Sequence, residues 1–274
     1  RAMRDGTLRL TVITDIHHGP RATCRGQLRK LGELAIPLAA AFVRQMNEVV
    51  RPDLVVHLGD AIEDVDRQSD RAHYARVIEL LGQLEAPLLH VTGNHDEVNL
   101  AVAELEQLRG PAALRPPCTL LGHRLLALPA HCTARRCWTD EEEIAALQRE
   151  LEATDLPVLL FVHPSLADQE LTGNSWFDGL PYQCLIEQRR SVRQLLEQSG
   201  RVRAVIGGHL HWNRLDAHAG IPYFTVQSLI ENVAPPDAPP LAAAAWALFE
   251  LGPGQIRGEV RGHDPASWVW TESA

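Results

Sequence analysis

The chain has 274 residues, of which 45% are hydrophobic and 22% are charged, so it can bury a sizeable core. A formal net charge of −9 argues against a nucleic acid polymer or an acidic membrane as partner. No run of apolar residues reaches the length of a membrane span, and no signal segment opens the sequence. We therefore expect a cytoplasmic protein with reduced cysteines.

The five cysteines are an odd number at irregular spacings, which disfavours a full disulfide framework. Cys132 and Cys137 could pair with each other, or could join His131 in a metal site. Free loop thiols are the reading that the spacing favours.

The first predicted strand, Leu8 to Thr14, is rich in β-branched residues and leads directly into Asp15-Ile16-His17. The segment from His18 to Lys30 reads as a basic loop, either a solvated turn or a cover over an anionic substrate. Apolar residues then recur at helical spacing from Ile36 to Val50, with Pro37 in the first turn of the predicted helix.

Two further predicted strands also end in polar motifs. Leu54 to Leu58 is a buried strand that leads into Gly59-Asp60, and Leu88 to Val91 leads into Gly93-Asn94-His95-Asp96. The segment between them, Ser69 to Leu84, has the apolar spacing of a helix. The sequence therefore alternates strands and helices, as α/β proteins do.

The middle of the chain contains a predicted helix from Glu97 to Leu108 and a predicted hairpin over residues 118–128. Thr139, followed by Glu142 three residues later, predicts a capping box for a helix that ends near Ala153.

Two more strands end in histidines. Pro157 to Val162 leads into His163, and Val202 to Ile206 leads into Gly207-Gly208-His209-Leu210-His211. A helix from Glu187 to Gln198 is predicted between them. Hairpins are predicted over residues 214–226 and 242–262, and we see no linker that would divide the chain. The closing hairpin, 242–262, would complete a sheet or make a homodimer contact.

Five predicted strands thus end in residues that can bind metal ions. In open α/β sheets, ligands collect beyond the carboxyl ends of the strands. One such histidine would be an ordinary polar residue, but five strand ends in succession are hard to attribute to coincidence. Two cations about 3.5–4 Å apart can clamp a phosphoryl oxygen and activate water. Mixed oxygen and nitrogen ligands suit manganese, iron or zinc, and a further histidine could protonate a leaving group.

With these motifs in order, the sequence resembles the calcineurin-like metallophosphoesterase family. The motifs that carry the resemblance are Asp15-x-His17, Gly59-Asp60-x-x-Glu63, Gly93-Asn94-His95-Asp96, His163 and Gly208-His209-x-His211. The resemblance implies an α/β fold: a four-layer sandwich of two mixed β-sheets flanked by helices, in one domain spanning residues 1–274.

The resemblance also implies a role for each of these residues. Asp15, His17 and His211 would hold one metal ion, Asn94, His163 and His209 the other, and Asp60 would bridge them. His95 would be the general acid, oriented by Asp96. Glu63 would lie behind the ligands.

The opening Asp15-Ile16-His17-His18-Gly19 and the compact block at Gly93 are most similar to class III cyclic nucleotide phosphodiesterases and glycerophosphodiesterases. This implies hydrolysis of a small-molecule phosphodiester by a metal-bound hydroxide. A phosphomonoesterase and a nucleoside-diphosphate-linked pyrophosphatase remain alternatives on the same site. A non-catalytic scaffold with this fold is disfavoured, because all seven ligand positions and His95 are filled.

Five other residues are candidates for contact with the substrate. Three of them, His18, Arg21 and Arg25, follow the first motif. The other two, Asn174 and Trp176, lie in the loop after His163. The indole of Trp176 could stack on a base or a sugar, or it could simply fill its own loop.

Overall fold

A computed structural model describes residues 6–272 and contains two large β-sheets with helices around them. The strands in this range are Leu8–Ile13 (β1), Arg21–Cys24 (β2), Gln27–Leu31 (β3), Leu54–His57 (β4), Leu88–His90 (β5), Cys118–Leu120 (β6), His123–Ala127 (β7), His131–Cys132 (β8), Cys137–Trp138 (β9), Val158–Phe161 (β10), Val202–Gly207 (β11), Arg214–His218 (β12), Ile221–Thr225 (β13), Trp246–Gly252 (β14), Gln255–Arg261 (β15) and Ala266–Thr271 (β16). The α-helices are Ala35–Gln45 (α1), Arg67–Leu81 (α2), Val102–Arg109 (α3), Glu141–Ala153 (α4) and Arg189–Ser199 (α5).

Both large sheets have six strands and mix parallel with antiparallel pairs. The first has the order β16-β15-β14-β1-β4-β5, in which β1, β4 and β5 run parallel. The second has the order β12-β13-β11-β10-β7-β6, in which β7, β10, β11 and β13 run parallel. Parallel strands end at the same edge of a sheet, so each sheet collects its strand-end motifs on one side.

Apolar side chains from the two sheets meet face to face. Val12 and Leu54 of the first sheet belong to one buried cluster with Phe161 and Ile206 of the second. Other faces of the sheets are covered by helices, α1 to α3 on the first and α4 with α5 on the second. Helix, sheet, sheet and helix form four layers, which confirms the predicted α/β sandwich.

Loops from the two sheets are joined to each other beyond the carboxyl ends of their strands. The backbone N–H of Asp15 donates to Gly59 O at 3.0 Å, and that of Gly208 donates to His163 O at 2.9 Å. Between the sheets, the N–H of His209 donates to the Asp15 carboxylate at 3.0 Å. The strand-end motifs are therefore gathered at one place.

The segment predicted as a basic loop is instead a β-hairpin formed by β2 and β3. Its turn has positive φ at Arg25 (49°) and at Gly26 (77°). Two-residue hairpin turns need this conformation for their backbone twist to match the right-handed twist of the flanking strands. The prediction of a loop missed this, because the strands are short and strongly charged.

Other helix boundaries also differ from prediction. Helix α1 ends at Gln45 and continues as a π-helical turn, Met46–Val50. The capping box at Thr139 is wrong: α4 begins after Asp140, and the Thr139 hydroxyl donates to Pro129 O at 2.7 Å. The local sequence pattern predicted the cap, but the Thr139 hydroxyl is instead hydrogen-bonded to a carbonyl of another loop.

Cys132 and Cys137 face each other across the β8–β9 pair and form a disulfide. The expectation of free loop thiols is therefore wrong for this pair, since the hairpin places the two residues directly opposite one another. His131 is not a partner of these sulfurs: its Nδ1 lies 2.8 Å from Glu97 Oε2.

The C-terminal segment adds strands to the first sheet. Strand β14 pairs antiparallel with β1, with Leu10 opposite Phe249, so the hairpin predicted over 242–262 extends this sheet. Strand β16, which was not predicted, lies beyond β15 at the edge. Within residues 6–272, no helix combines the length and the apolar character needed to cross a bilayer.

Candidate metal centre

The predicted ligands occupy the loops that follow β1, β4, β5, β10 and β11. Backbone strain is concentrated in these loops. Five ligand positions other than glycine have φ between 43° and 67°: Asp15, His17, Asp60, His209 and His211. Such conformations cost about 1–3 kcal/mol each and persist where the surrounding structure imposes them, commonly at functional sites.

The first group of side chains consists of Asp15, His17 and His211. The Nε2 atoms of the two histidines lie 3.1 Å apart. Asp15 Oδ1 is 3.7 Å from the Nε2 of His17 and 3.3 Å from that of His211. All three residues are buried, so three donor atoms converge on one small volume.

Two carboxylates set the orientation of these imidazoles. Glu63 Oε2 lies 2.9 Å from His17 Nδ1, and Glu231 Oε2 lies 2.7 Å from His211 Nδ1. A carboxylate at Nδ1 holds the proton there and leaves the Nε2 lone pair free for a metal. Glu63 was predicted to lie behind the ligands. Glu231 was not predicted, because it belongs to none of the motifs.

The second group consists of Asp60, His163 and His209. Asp60 Oδ2 lies 3.2 Å from His163 Nε2 and 3.6 Å from His17 Nε2, so this oxygen faces both groups. The other oxygen, Oδ1, accepts the N–H of His95 at 2.9 Å. The carboxylate is therefore held in the position that a bridging ligand needs.

The remaining nitrogens of the second group have backbone partners. His163 Nδ1 lies 2.8 Å from Leu58 O, and His209 Nε2 lies 3.2 Å from Gln183 O. If these two nitrogens donate their N–H to the carbonyl oxygens, the other ring nitrogens, Nε2 of His163 and Nδ1 of His209, keep their lone pairs free for a metal ion.

The group of atoms that faces the centre fits a pair of metal ions. Among the residues described, Asp15 Oδ1, Asn94 Oδ1 and His163 Nε2 are buried without a hydrogen-bond partner. Buried polar atoms rarely lack one unless an ion or a reaction requires them. Carboxylate, amide and imidazole donors together suit manganese, iron or zinc.

Electrostatics at the site favour cations. Burial opposes charge on Asp15, but hydrogen bonds from His17 and His211 outweigh it and hold its pKa well below the usual range. Burial also opposes the imidazolium of His211, yet Asp15 and Glu231 raise its pKa to about 9. The same negative potential would stabilise a bound metal cation.

Two motif glycines are required by close approach. A Cβ atom on Gly93 would lie 2.2 Å from the backbone N of Asp60, and one on Gly208 would lie 2.2 Å from Thr14 Oγ1. These distances are shorter than any van der Waals contact. The glycines therefore allow the ligand loops to pack against one another.

His95 lies beside the candidate metal ligands, with its ring centroid 4.8 Å from that of His17. Its Nδ1 contacts Asp64 Oδ1. Asp96, predicted to orient His95, instead accepts backbone N–H groups of Asp60 (3.1 Å), Ala61 (2.8 Å) and Gly93 (3.0 Å). The prediction for Asp96 is corrected: its carboxylate points back into the loops, and Asp64 is the residue at the ring.

The centre opens into a cavity of about 470 Å³. Its walls come from the β2–β3 hairpin, the β8–β9 turn and the loop after His163. Lys30 and Trp176 are part of the lining, together with Asn94, His95 and His209. The Trp176 Nε1 donates to Glu231 Oε2 at 3.0 Å, so this indole is held against the centre.

The other candidates for substrate contact lie elsewhere. Arg21 pairs with Glu33, and Arg25 donates to Asp178 O at 2.8 Å; both side chains are exposed and outside the cavity lining. The His18 ring packs against His73, with centroids 4.7 Å apart.

Asn174 is buried and shapes its own loop. Its Oδ1 accepts the N–H groups of Trp176 and Phe177 at 2.9 Å each, and its Nδ2 donates to Leu210 O at 2.8 Å. Of the five candidates, Trp176 alone is among the residues that line the cavity, and substrate contact by the other four stays a prediction.

Comparisons with known proteins agree with this architecture. A family model described as calcineurin-like phosphoesterase matches residues 8–213. The chain is 25% identical to a protein of Synechococcus sp. named a probable cyclic nucleotide phosphodiesterase, over 97% of this chain and 94% of that protein. It is 27% identical to a cAMP/cGMP dual specificity phosphodiesterase of Mycobacterium tuberculosis, over 70% of this chain and 57% of that protein.

Among solved structures, a dimetal phosphatase from Danio rerio has the same fold. The TM-score is 0.73 with 17% sequence identity, and the match covers 97% of this chain and 99% of that one. The chain therefore belongs to the calcineurin-like phosphoesterase family, metal-dependent hydrolases that use a dinuclear metal centre.

Proposed function

We propose that this protein hydrolyses a small phosphodiester, either a cyclic nucleotide or another organic phosphodiester. The observation that carries the proposal is the shared carboxylate: Asp60 Oδ2 faces both groups of ligands, at 3.6 Å from His17 Nε2 and 3.2 Å from His163 Nε2. Preference for a diester is supported by the two relatives named as cyclic nucleotide phosphodiesterases.

Seven side chains would hold the two metal ions. One ion would be bound by Asp15, His17 and His211, the other by Asn94, His163 and His209, with Asp60 shared; the ions would be manganese, iron or zinc. When bound, such a pair lowers the pKa of a coordinated water and neutralises charge on phosphoryl oxygens.

His95 would donate a proton to the oxygen that leaves phosphorus. His95 lines the cavity with its Nε2 beside Lys30 Nζ, at 3.3 Å, and its Nδ1 is in contact with the Asp64 carboxylate. The hydrogen bond from Nδ1 also lowers the pKa of Asp64, which keeps this carboxylate ionised. Asp96 would act indirectly, by holding the backbone of Asp60 and Gly93 in place.

The proposal is tested with Asp60→Ala and Asn94→Ala, assayed on bis(p-nitrophenyl) phosphate with manganese. We expect hydrolysis to fall by at least about 100-fold in both variants, because each loses a ligand to the metal pair. Asp155→Ala is the control, since this side chain is 96% exposed and, within residues 6–272, pairs only with Arg201. Wild-type rates in Asp60→Ala or Asn94→Ala would overturn the assignment.

A second assay separates the substrate classes. Rates on cyclic AMP, a glycerophosphodiester, a phosphomonoester and ADP-ribose are compared with one manganese-loaded preparation. We expect the highest kcat/KM on one of the diesters. A preference for the monoester or for ADP-ribose would instead establish one of the two alternative activities on the same metal centre.

A further inference from the structure

Lys30 is the only lysine among the 26 basic residues of the chain; all the others are arginine. Surface cations in this protein are thus arginines throughout, whereas Lys30 is only 3% exposed. Burying an ammonium group is costly unless it is paired or performs a function. A solitary lysine that is also buried therefore calls for a specific explanation.

The Lys30 ammonium lies at the wall of the catalytic cavity. Its Nζ is 2.7 Å from Glu63 Oε2 and 3.3 Å from His95 Nε2. The ring of Trp176 is on another side, with its centroid 5.0 Å from Nζ. Lys30, His95 and Trp176 all line the 470 Å³ cavity.

The partners of Lys30 leave its charge incompletely matched. Glu63 is the carboxylate in direct contact, and it is shared with His17 Nδ1 at 2.9 Å. Asp64, the next carboxylate, is in contact with His95. An ammonium has three N–H donors; Glu63 accepts one of them, and Nε2 of a protonated His95, as the proposed function requires, has no lone pair to accept another. Among the residues described, at least one N–H of Lys30 therefore remains for a group in the cavity.

The size of the group explains why lysine stands here. A guanidinium would present a broad planar fork, whereas an ammonium is a compact charge that reaches several acceptors in different directions. Glu63 on one side of the nitrogen and an acceptor in the cavity on another fit the second arrangement. Because His95 Nε2 lies 3.3 Å from this nitrogen, the acceptor in the cavity would lie next to His95.

We propose that Lys30 is a substrate-binding residue whose free N–H donates to a non-bridging oxygen of the reacting phosphate. It would add a fixed positive charge on the side of the phosphate that faces the β2–β3 hairpin. This inference rests on the proposed function, because it assumes that a phosphate ester occupies the cavity.

The test is the affinity for inorganic phosphate, measured by calorimetry on manganese-loaded protein. Lys30→Met, which keeps the length but not the charge, should bind phosphate roughly 10- to 100-fold more weakly, as expected for a lost charge-assisted hydrogen bond. Lys30→Arg should retain part of the affinity. Arg257→Met removes one exposed charge from β15 and is the control, with unchanged affinity expected.

A second variant separates a role of Lys30 in phosphate binding from a role in stabilising the fold. Lys30→Met leaves the Glu63 carboxylate without its cation, so the double variant Lys30→Met/Glu63→Gln removes both charges and keeps an acceptor for His17. We expect it to bind manganese and still bind phosphate weakly. Wild-type phosphate affinity in this folded double variant would show that Lys30 serves only to neutralise Glu63, which would overturn the inference.

Failure of the two proposals can be told apart. If wild-type protein hydrolyses no phosphodiester, the proposed function fails, whatever the Lys30 variants do. If the wild type is active and Lys30→Met matches it in phosphate affinity, only the role of Lys30 is refuted. A raised KM and a lowered kcat in Lys30→Met would accompany the expected loss, since the charge would serve substrate and transition state alike.

Discussion

Replacing Glu231 with glutamine should weaken metal binding at the Asp15–His17–His211 group. Glu231 is 1% exposed, and three donors converge on its carboxylate. His211 Nδ1 is 2.7 Å and Trp176 Nε1 3.0 Å from Oε2, and Arg29 Nη2 is 2.5 Å from Oε1. Glutamine has a similar shape but carries no charge, and one of its two terminal atoms is a donor.

The magnitude follows from the role of this carboxylate. Burial alone would raise its pKa, but the contact with His211 outweighs burial and lowers it, so Glu231 is ionised at neutral pH. Its charge increases the electron density of the imidazole that would bind metal. Loss of such a partner typically weakens metal binding about 10- to 100-fold, or about 1.4–2.8 kcal/mol.

The assay is competition for manganese between the protein and a fluorescent chelator. Glu250→Gln is the matched control, because Glu250 is on the solvent side of β14 and lies 3.6 Å from Arg9. Thermal unfolding with excess manganese checks that the Glu231→Gln variant folds. Manganese affinity equal to that of the wild type in a folded Glu231→Gln protein would refute this account of His211.

Two further predictions concern other histidines. Asp64→Asn should lower kcat roughly 10- to 100-fold with manganese content unchanged, because it replaces the carboxylate in contact with Nδ1 of His95, the proton donor of the proposed function. Unchanged kcat would contradict this role. Below the ligands, His57 Nδ1 lies 3.2 Å from His90 Nδ1, and burial lowers the pKa of His57 to about 3 and that of His90 well below its usual value. Unfolded histidines gain protons below about pH 6.5, so the free energy of unfolding should fall as the pH drops from 7 towards 4. Urea titrations of His57→Asn should show a shallower decline, and an identical slope would refute the contribution of this pair.

The clustering of the candidate metal ligands could be predicted, because each of these residues directly follows a strand. A buried apolar run ending in histidine, aspartate or asparagine is visible in the sequence, and five such runs in order define the family motif. Parallel strands then bring those ends to one edge. Proximity of Asp15 and His211, nearly 200 residues apart in the chain, follows from that topology.

Residues behind the ligands could not be predicted in the same way. Glu231 and Lys30 reach the centre from a loop and from a hairpin, and neither belongs to a motif. The family resemblance predicted Asp96 at His95, but the turn directs its carboxylate back to the backbone N–H of Ala61. Thr139 fitted a capping box, yet its hydroxyl found a partner ten residues away.

The sequence by itself determined the fold class, the order of the strands and the side chains that cluster at the candidate metal centre. These follow from hydrophobic periodicity and from motifs at strand ends, which are local properties of the chain. Only the tertiary structure decided which carboxylate orients each imidazole, and that Lys30 rather than Arg21 or Arg25 reaches the cavity. Those choices depend on contacts between distant segments, and a pattern along the chain does not encode the direction in which a loop side chain points.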